Sequence, residues 1–141
     1  TKPLQPAFLV HPASEQSNIA EGSLVDIVFG TEIFDQNGDF ASNTFTAPVA
    51  GRYQLSYNLY MDGITDDANY YQANLVTSNR TYYNIFDPDF GQDAVYWGLT
   101  QSLLVEMDAG DTATVSITTH SSASGTNDLN AVSSFHGFLA C

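Results

Sequence analysis

From Gly51 the chain alternates without a break. Tyr53, Leu55, Tyr57, Leu59 and Met61 share one parity, and Arg52, Gln54, Ser56, Asn58 and Tyr60 the other. A period of two over that length predicts a half-buried strand. The same period returns in Ala94 to Met107, where Val95, Trp97, Leu99, Leu103, Val105 and Met107 fall on one parity. It returns again in Thr112 to Thr119, where Val115 and Ile117 alternate with hydroxyls. Ala7 to His11 is long enough for one strand before Pro12 stops it. Ser23 to Phe34 is rich in β-formers, with Val25, Ile27 and Phe29 on one face and Thr31 and Ile33 continuing that parity. Ala68 to Thr77 and Thr81 to Phe86 pair as a hairpin around Ser78-Asn79-Arg80, and Ala131 to Cys141 supplies a last strand.

Turn chemistry separates these runs. Asp35-Gln36-Asn37-Gly38-Asp39 carries the Asn-Gly pair that supplies the positive φ of a tight hairpin, with Phe40 and Phe45 on its far side. Pro48 removes a ladder donor, so Ala47 to Ala50 reads as a corner or an edge. Asp62 to Asp67 and Asp87 to Asp93 read as acidic loops, and Asp108-Ala109-Gly110-Asp111 as a turn. Ala13 to Gly22 is polar and reads as a loop anchored by Ile19. His120 to Asn130 reads as a mobile loop, and Thr1 to Pro6 as an entry linker. No stretch holds a helical period and no fixed repeat is visible. The pattern predicts about eight to ten strands in an all-β sandwich or jelly roll, with a domain over 7–141 behind a linker over 1–6.

Composition fits one globular domain: 141 residues, 43% apolar and 13% aromatic. Charge changes the picture more. Sixteen Asp and Glu stand against Lys2, Arg52 and Arg80, for a net charge of −13. Such a surface repels phosphate backbones and anionic lipid, which disfavours nucleic acid and membrane as partners and leaves cations as natural small ones. No apolar run approaches the roughly 20 residues of a membrane helix. A single cysteine, Cys141, excludes an intrachain disulfide. It reads as a buried end-of-strand residue, against a free thiol or an intermolecular link. A chain that starts on Thr1 rather than Met reads as a fragment or a processed product.

Evidence for catalysis is thin. His11, His120 and His136 sit in separate segments without metal-ligand spacing, and there is no nucleophile elbow or phosphate-binding glycine loop. Carboxylate pairs could be drawn from many Asp residues, which empties them of meaning. The chain does not read as an enzyme.

The aromatic spacing carries a resemblance. Phe29, Asp35 and Phe40 are followed by Phe45, Gly51, Tyr53 and Tyr57, with Leu55 between the last two. Ser102 to Asp111 (SLLVEMDAGD) and Ser133 to Leu139 (SSFHGFL) stand further on in matching order. Together they resemble the complement C1q-like globular domain over roughly Ala7 to Cys141. Leu55 stands where Phe is usual, and the Phe40–Phe45 gap is about two residues short, so that hairpin should be trimmed. The resemblance implies a ten-stranded jelly roll related to tumour necrosis factor, assembled as a compact homotrimer. It further implies a secreted or surface-displayed head at the end of a trimeric stalk, on a cell or spore surface or a virion fibre. Two functions follow from it: a non-enzymatic head that binds an extracellular protein or glycan, or a purely structural trimeric cap of a bacterial surface filament or phage tail fibre.

Candidate residues follow from these readings. Phe29, Phe40, Phe45, Gly51, Tyr53, Tyr57, Phe135 and Gly137 read as core and close-approach positions, since alternating aromatics bury the most area per residue. Tyr60, Tyr70, Tyr96 and Phe138 lie on outward parities and are candidates for the trimer interface, or else solitary exposed aromatics. Asp62, Asp66, Asp87, Asp89 and Asp93 in the acidic loops are candidate calcium ligands, because related domains hold calcium near the trimer axis and calcium takes six to eight oxygens. The competing reading is a pair of solvated acidic loops. Tyr83 and Phe90 could stack on a sugar or an apolar ligand, while Trp97 shares parity with the core. Asn79-Arg80-Thr81 is a glycosylation sequon at the hairpin tip.

Overall fold

The computed structural model describes residues 4–120 and 125–141. Residues 1–3 of the expected linker and 121–124 of the expected mobile loop lie outside them. Thirteen strands are present among the described residues: β1 (Ala7–His11), β2 (Gln16–Ala20), β3 (Leu24–Asp26), β4 (Thr31–Gln36), β5 (Phe40–Ala41), β6 (Thr44–Thr46), β7 (Gly51–Ile64), β8 (Tyr70–Thr77), β9 (Thr81–Phe86), β10 (Ala94–Met107), β11 (Thr112–His120), β12 (Thr126–Leu129) and β13 (Ser134–Leu139). They form two antiparallel sheets. In the first, β7 pairs with β10 along one edge and with β12 and β13, end to end, along the other; β2 flanks β12, and β1 and β4 follow β13. The second runs β5-β6-β11-β8-β9, with β3 also on β11.

The alternation in β7 is why it sits at the centre. Tyr53, Leu55, Tyr57, Leu59 and Met61 are all buried between the sheets. Phe8 and Phe135 of the same sheet meet Phe40 and Phe45 of the other in an aromatic cluster, with the Phe8 ring 4.6 Å from Phe45 and 5.0 Å from Phe135. The core aromatics named from the sequence are buried to the last residue, Phe29 and Tyr53 among them. The Tyr57 hydroxyl spans the sandwich and donates to the Ala73 carbonyl of β8 at 3.2 Å, satisfying a group that burial would otherwise penalise. Burial also pushes that phenol well above its ordinary 10.0.

Several expectations change. Asn37 and Gly38 adopt positive φ (86° and 72°), as the Asn-Gly pair predicts. The strands they join, however, do not pair: β4 lies on β1 in the first sheet and β5 on β6 in the second. The turn is instead a crossover, pinned by the Asp35 carboxylate, which accepts the amides of Asp39 (3.0 Å) and Phe40 (2.9 Å). The tight hairpin is β5–β6, where Phe40 pairs directly with Phe45 around Ser42 and Asn43, both at positive φ. It is trimmed to a two-residue connection.

Thr31 and Ile33 do not continue the buried parity of Ile27 and Phe29; Ile33 is 57% exposed. The chain leaves the second sheet after β3 and joins the first at β4, which resets the facing. Val95 is likewise exposed, beside the positive-φ Gly63 of the neighbouring strand. Two segments read as loops contain strands, β2 and β12, which pair with each other. Cys141 is exposed rather than buried, because β13 ends two residues earlier and only the Cys141 backbone is engaged, its carbonyl accepting the Arg52 amide at 2.7 Å and its amide donating to the Arg52 carbonyl at 3.3 Å.

Candidate functional site

The two acidic loops meet at one point. Asp66, after β7, donates its amide to the Asp93 Oδ1 at 3.0 Å just before β10. The Asp66 carboxyl is raised above its ordinary 3.8 by desolvation, by the hydrogen bond and charge of Asp93, and by the charge of Asp67. Asp87 and Asp89 are tied to each other, the Asp89 amide donating to Asp87 Oδ1 at 3.0 Å. Asp62 stands apart on β7, in register with Asp128 of β12 and Tyr96 of β10. One of its oxygens is buried without a partner. Among the described residues no three His, Cys, Asp or Glu side chains gather where they could hold a metal ion. Within one copy, then, the five candidate carboxylates do not form a coordination set.

The outward aromatics divide between the sheets. Tyr60 and Tyr96 face outward from the first sheet on neighbouring strands, with ring centroids 5.6 Å apart. Phe138 faces the same way from β13, with Leu104 from β10 and Phe34 from β4, each about half exposed. Beside Phe138 an apolar recess of about 330 Å³ opens between Ala7, Leu9, Phe34 and His136. The Gln54, Ser56 and Ser102 side chains join by hydrogen bonds of 2.7 Å across the middle of this face. Burial, and then the charge of His11, lower the His136 pKa below its ordinary 6.5. Its Nδ1 is buried without a partner. Tyr70 belongs elsewhere: it stacks on His120 (5.1 Å) on the second sheet.

Tyr83 and Phe90 are both exposed, but no ring contact joins them among the described residues. Tyr83 stands on β9 facing away from the sandwich. Phe90 caps a ladder of near-parallel rings in which Trp97 lies 4.9 Å from Phe86 and 5.0 Å from Phe90, and Phe86 lies 5.4 Å from buried Tyr71. Trp97 is partly buried against the core, in line with its parity.

Sequence reasoning missed a cleft that forms between the two sheets. About 570 Å³ opens where the β9 edge of the second sheet faces the β10 edge of the first, lined by Arg52, Arg80, Tyr82, Leu104, Glu106 and Asp108, with Asn79 at its rim. Two arginines twenty-eight positions apart gave no local motif. The only signal available was that cations are so few.

Two antiparallel sheets packed face to face, with no helix among the described residues, define a β-sandwich of jelly-roll type, and its concave and aromatic features suit binding rather than bond-making. The chain belongs to the C1q domain family, whose model matches residues 7–140. Among solved structures it is similar to the globular domain of zebrafish complement 1qA protein, at 21% identity with a TM-score of 0.66, covering 96% of this chain and 98% of that one. It is also similar to murine APRIL, at 13% identity with a TM-score of 0.65 and the same coverage. Comparison with curated protein sequences gives no significant match. Domains of this family are non-enzymatic recognition modules, generally extracellular, and form trimers. No helix among the described residues is long and apolar enough to cross a membrane.

Proposed function

We propose that this protein is the homotrimeric recognition head of a larger extracellular or surface-displayed fibrous protein, and that it binds a protein or glycan ligand. The domain occupies residues 7–141, with 1–6 as the entry segment from a stalk. The observation that carries the reading is the outward face of the first sheet: Tyr60 and Tyr96 toward one end, and Phe34 and Phe138 toward the other, present apolar surface that one copy leaves uncovered. Exposed apolar surface of that kind on either side of a polar centre marks an interface, and a threefold assembly closes it by symmetry. Tyr70, on the opposite sheet, lies outside this interface. Three copies of any ligand site then act together, so weak single contacts add up to useful avidity.

Calcium belongs to this proposal only at the Asp66–Asp93 contact, where two carboxylates crowd each other and a cation would relieve the repulsion. Sedimentation tests the assembly: the expected mass is three times 15.3 kDa, and a monomer at micromolar concentration overturns it. A glycan and protein panel on the trimer tests recognition; reproducible binding supports a head, and silence across broad panels favours a structural cap. For the ion, a melting temperature that rises in calcium and falls in chelator is expected, and an unchanged one removes calcium from the reading.

A further inference from the structure

We infer that the cleft between the β9 and β10 edges is a binding site for a carboxylated sugar, an inference that rests on the recognition-head reading and gives it a ligand class. The argument starts from charge. Three residues of 141 are basic, and two of them, Arg52 and Arg80, line this one cleft. Among the described residues neither guanidinium forms an ion pair, although Glu106 stands directly opposite Arg52 in the β7–β10 register. In a chain of net charge −13, cations left unpaired amid so many carboxylates are available to something else.

The cleft is built rather than incidental. Its β8–β9 wall is fastened to the β10–β11 turn: Asn79 Nδ2 donates to Asp111 Oδ2 at 2.8 Å, the Asp108 amide donates to the same oxygen at 2.9 Å, and the Thr112 amide donates to Ser78 Oγ at 2.8 Å. On the β9–β10 side, Asn84 Nδ2 donates to the Thr100 carbonyl at 3.0 Å and ties the two sheet edges together. Arg80 lies over the Tyr82 ring, 5.9 Å from its centroid, which orients the guanidinium without neutralising it. The volume falls within the range of small-molecule sites.

The lining chemistry selects the ligand. Guanidinium groups accept a carboxylate in a two-point geometry. Glu106 and Asp108 in the same cleft are acceptors, and a ligand that is only an anion would be repelled by them. A sugar acid satisfies both demands, since its carboxylate meets the arginines and its hydroxyls donate to Glu106 and Asp108. Leu104, 56% exposed, offers an apolar surface to the carbon face of the ring.

Calorimetric titration of the assembled protein with tri-galacturonate, its fully methyl-esterified form and inorganic sulfate tests this. Tri-galacturonate is expected to bind, with the ester and sulfate at least about tenfold weaker. Arg52→Gln and Arg80→Gln are each expected to weaken it about tenfold or more while leaving sedimentation and melting unchanged, and Glu106→Gln to weaken it by a smaller factor. Equal affinity for acid and ester, or sulfate binding as tightly as the sugar acid, overturns the inference. So does an arginine variant that falls from trimer to monomer, because the arginines would then be pairing copies of the chain. Failure of tri-galacturonate alongside binding of another panel ligand sinks this site and leaves the recognition head standing; silence from every ligand sinks both.

Discussion

A methyl group added at Gly137 would lie 2.8 Å from the Gln54 carbonyl oxygen and 3.1 Å from the Phe8 ring, and would also strike Leu55. At Gly51 it would lie 2.6 Å from Leu139 and 2.8 Å from the Cys141 carbonyl oxygen. Neither glycine has positive φ, so each is required for close approach and not for a turn. Gly137→Ala is therefore expected to lower stability by about 1–3 kcal/mol, the cost of overpacking a filled core, read as an earlier denaturation midpoint at unchanged slope. Tyr57→Phe removes the hydroxyl that reaches across to Ala73 and should cost about 1 kcal/mol in the same measurement. At this scale the sequence was highly legible for the aromatics, because alternation on β7 puts Tyr53 and Tyr57 on the buried parity whatever the rest of the fold does. The arginine cleft was not legible, since one cation comes from β7 in the first sheet and the other from the β8–β9 turn of the second, and they meet only through tertiary structure.

Among the elements, β13 carries a titratable group in an unusual place. His136 is partly buried on the outward face of the first sheet, with His11 of β1 adding its charge, and both effects favour the neutral imidazole. With the folded pKa lowered, the unfolded chain binds more protons between the folded value and the ordinary 6.5. This contribution is complete above about pH 6.5, is lost as pH falls through that window, and levels off below the folded pKa. Thermal melts of His136→Gln should show a weaker decline between pH 7 and pH 5 than the parent.

The strands that the sequence hid have a common cause. In β2 (QSNIA) and β12 (TNDL) only Ile19 and Leu129 supply large buried apolar side chains. Asn18 takes positive φ and the register between the two shifts. Pairing here comes from backbone partners and from Asp128 accepting the Asn18 amide at 2.8 Å, and hydrophobic period does not report such bonds. The Asp35–Asp39 crossover was misread for a related reason. Asn-Gly fixes local φ, and nothing local says whether the next strand pairs or changes sheets.

For the whole molecule, charge and assembly pull in opposite directions. Each copy carries −13, so a trimer holds three times that within one particle. Self-repulsion on that scale is screened over a Debye length of about 8 Å at physiological salt and about 30 Å at 0.01 M. Raising salt from 0.01 to 0.15 M should therefore tighten the trimer, read as a lower dissociation midpoint on dilution. Phe138→Asp places a carboxylate in the exposed apolar face and should shift the sedimenting species toward 15.3 kDa, with far-ultraviolet dichroism unchanged. A variant that remains trimeric counts against the first sheet as the contact surface.

β1 and β13 lie side by side, Ala7 opposite Phe138, and the Leu139 amide donates to the Pro6 carbonyl at 3.0 Å. The first and last of the described strands are thus neighbours within one sheet, and the order in which the chain visits these strands matters less than their placement. A circular permutant that joins residue 141 to residue 4 through a short glycine linker, and opens between Pro88 and Gly91, cuts no ladder of either sheet. It should fold to the same sandwich and present its new ends from the acidic loop, so that a fused partner leaves the particle at a different place from anything attached ahead of β1.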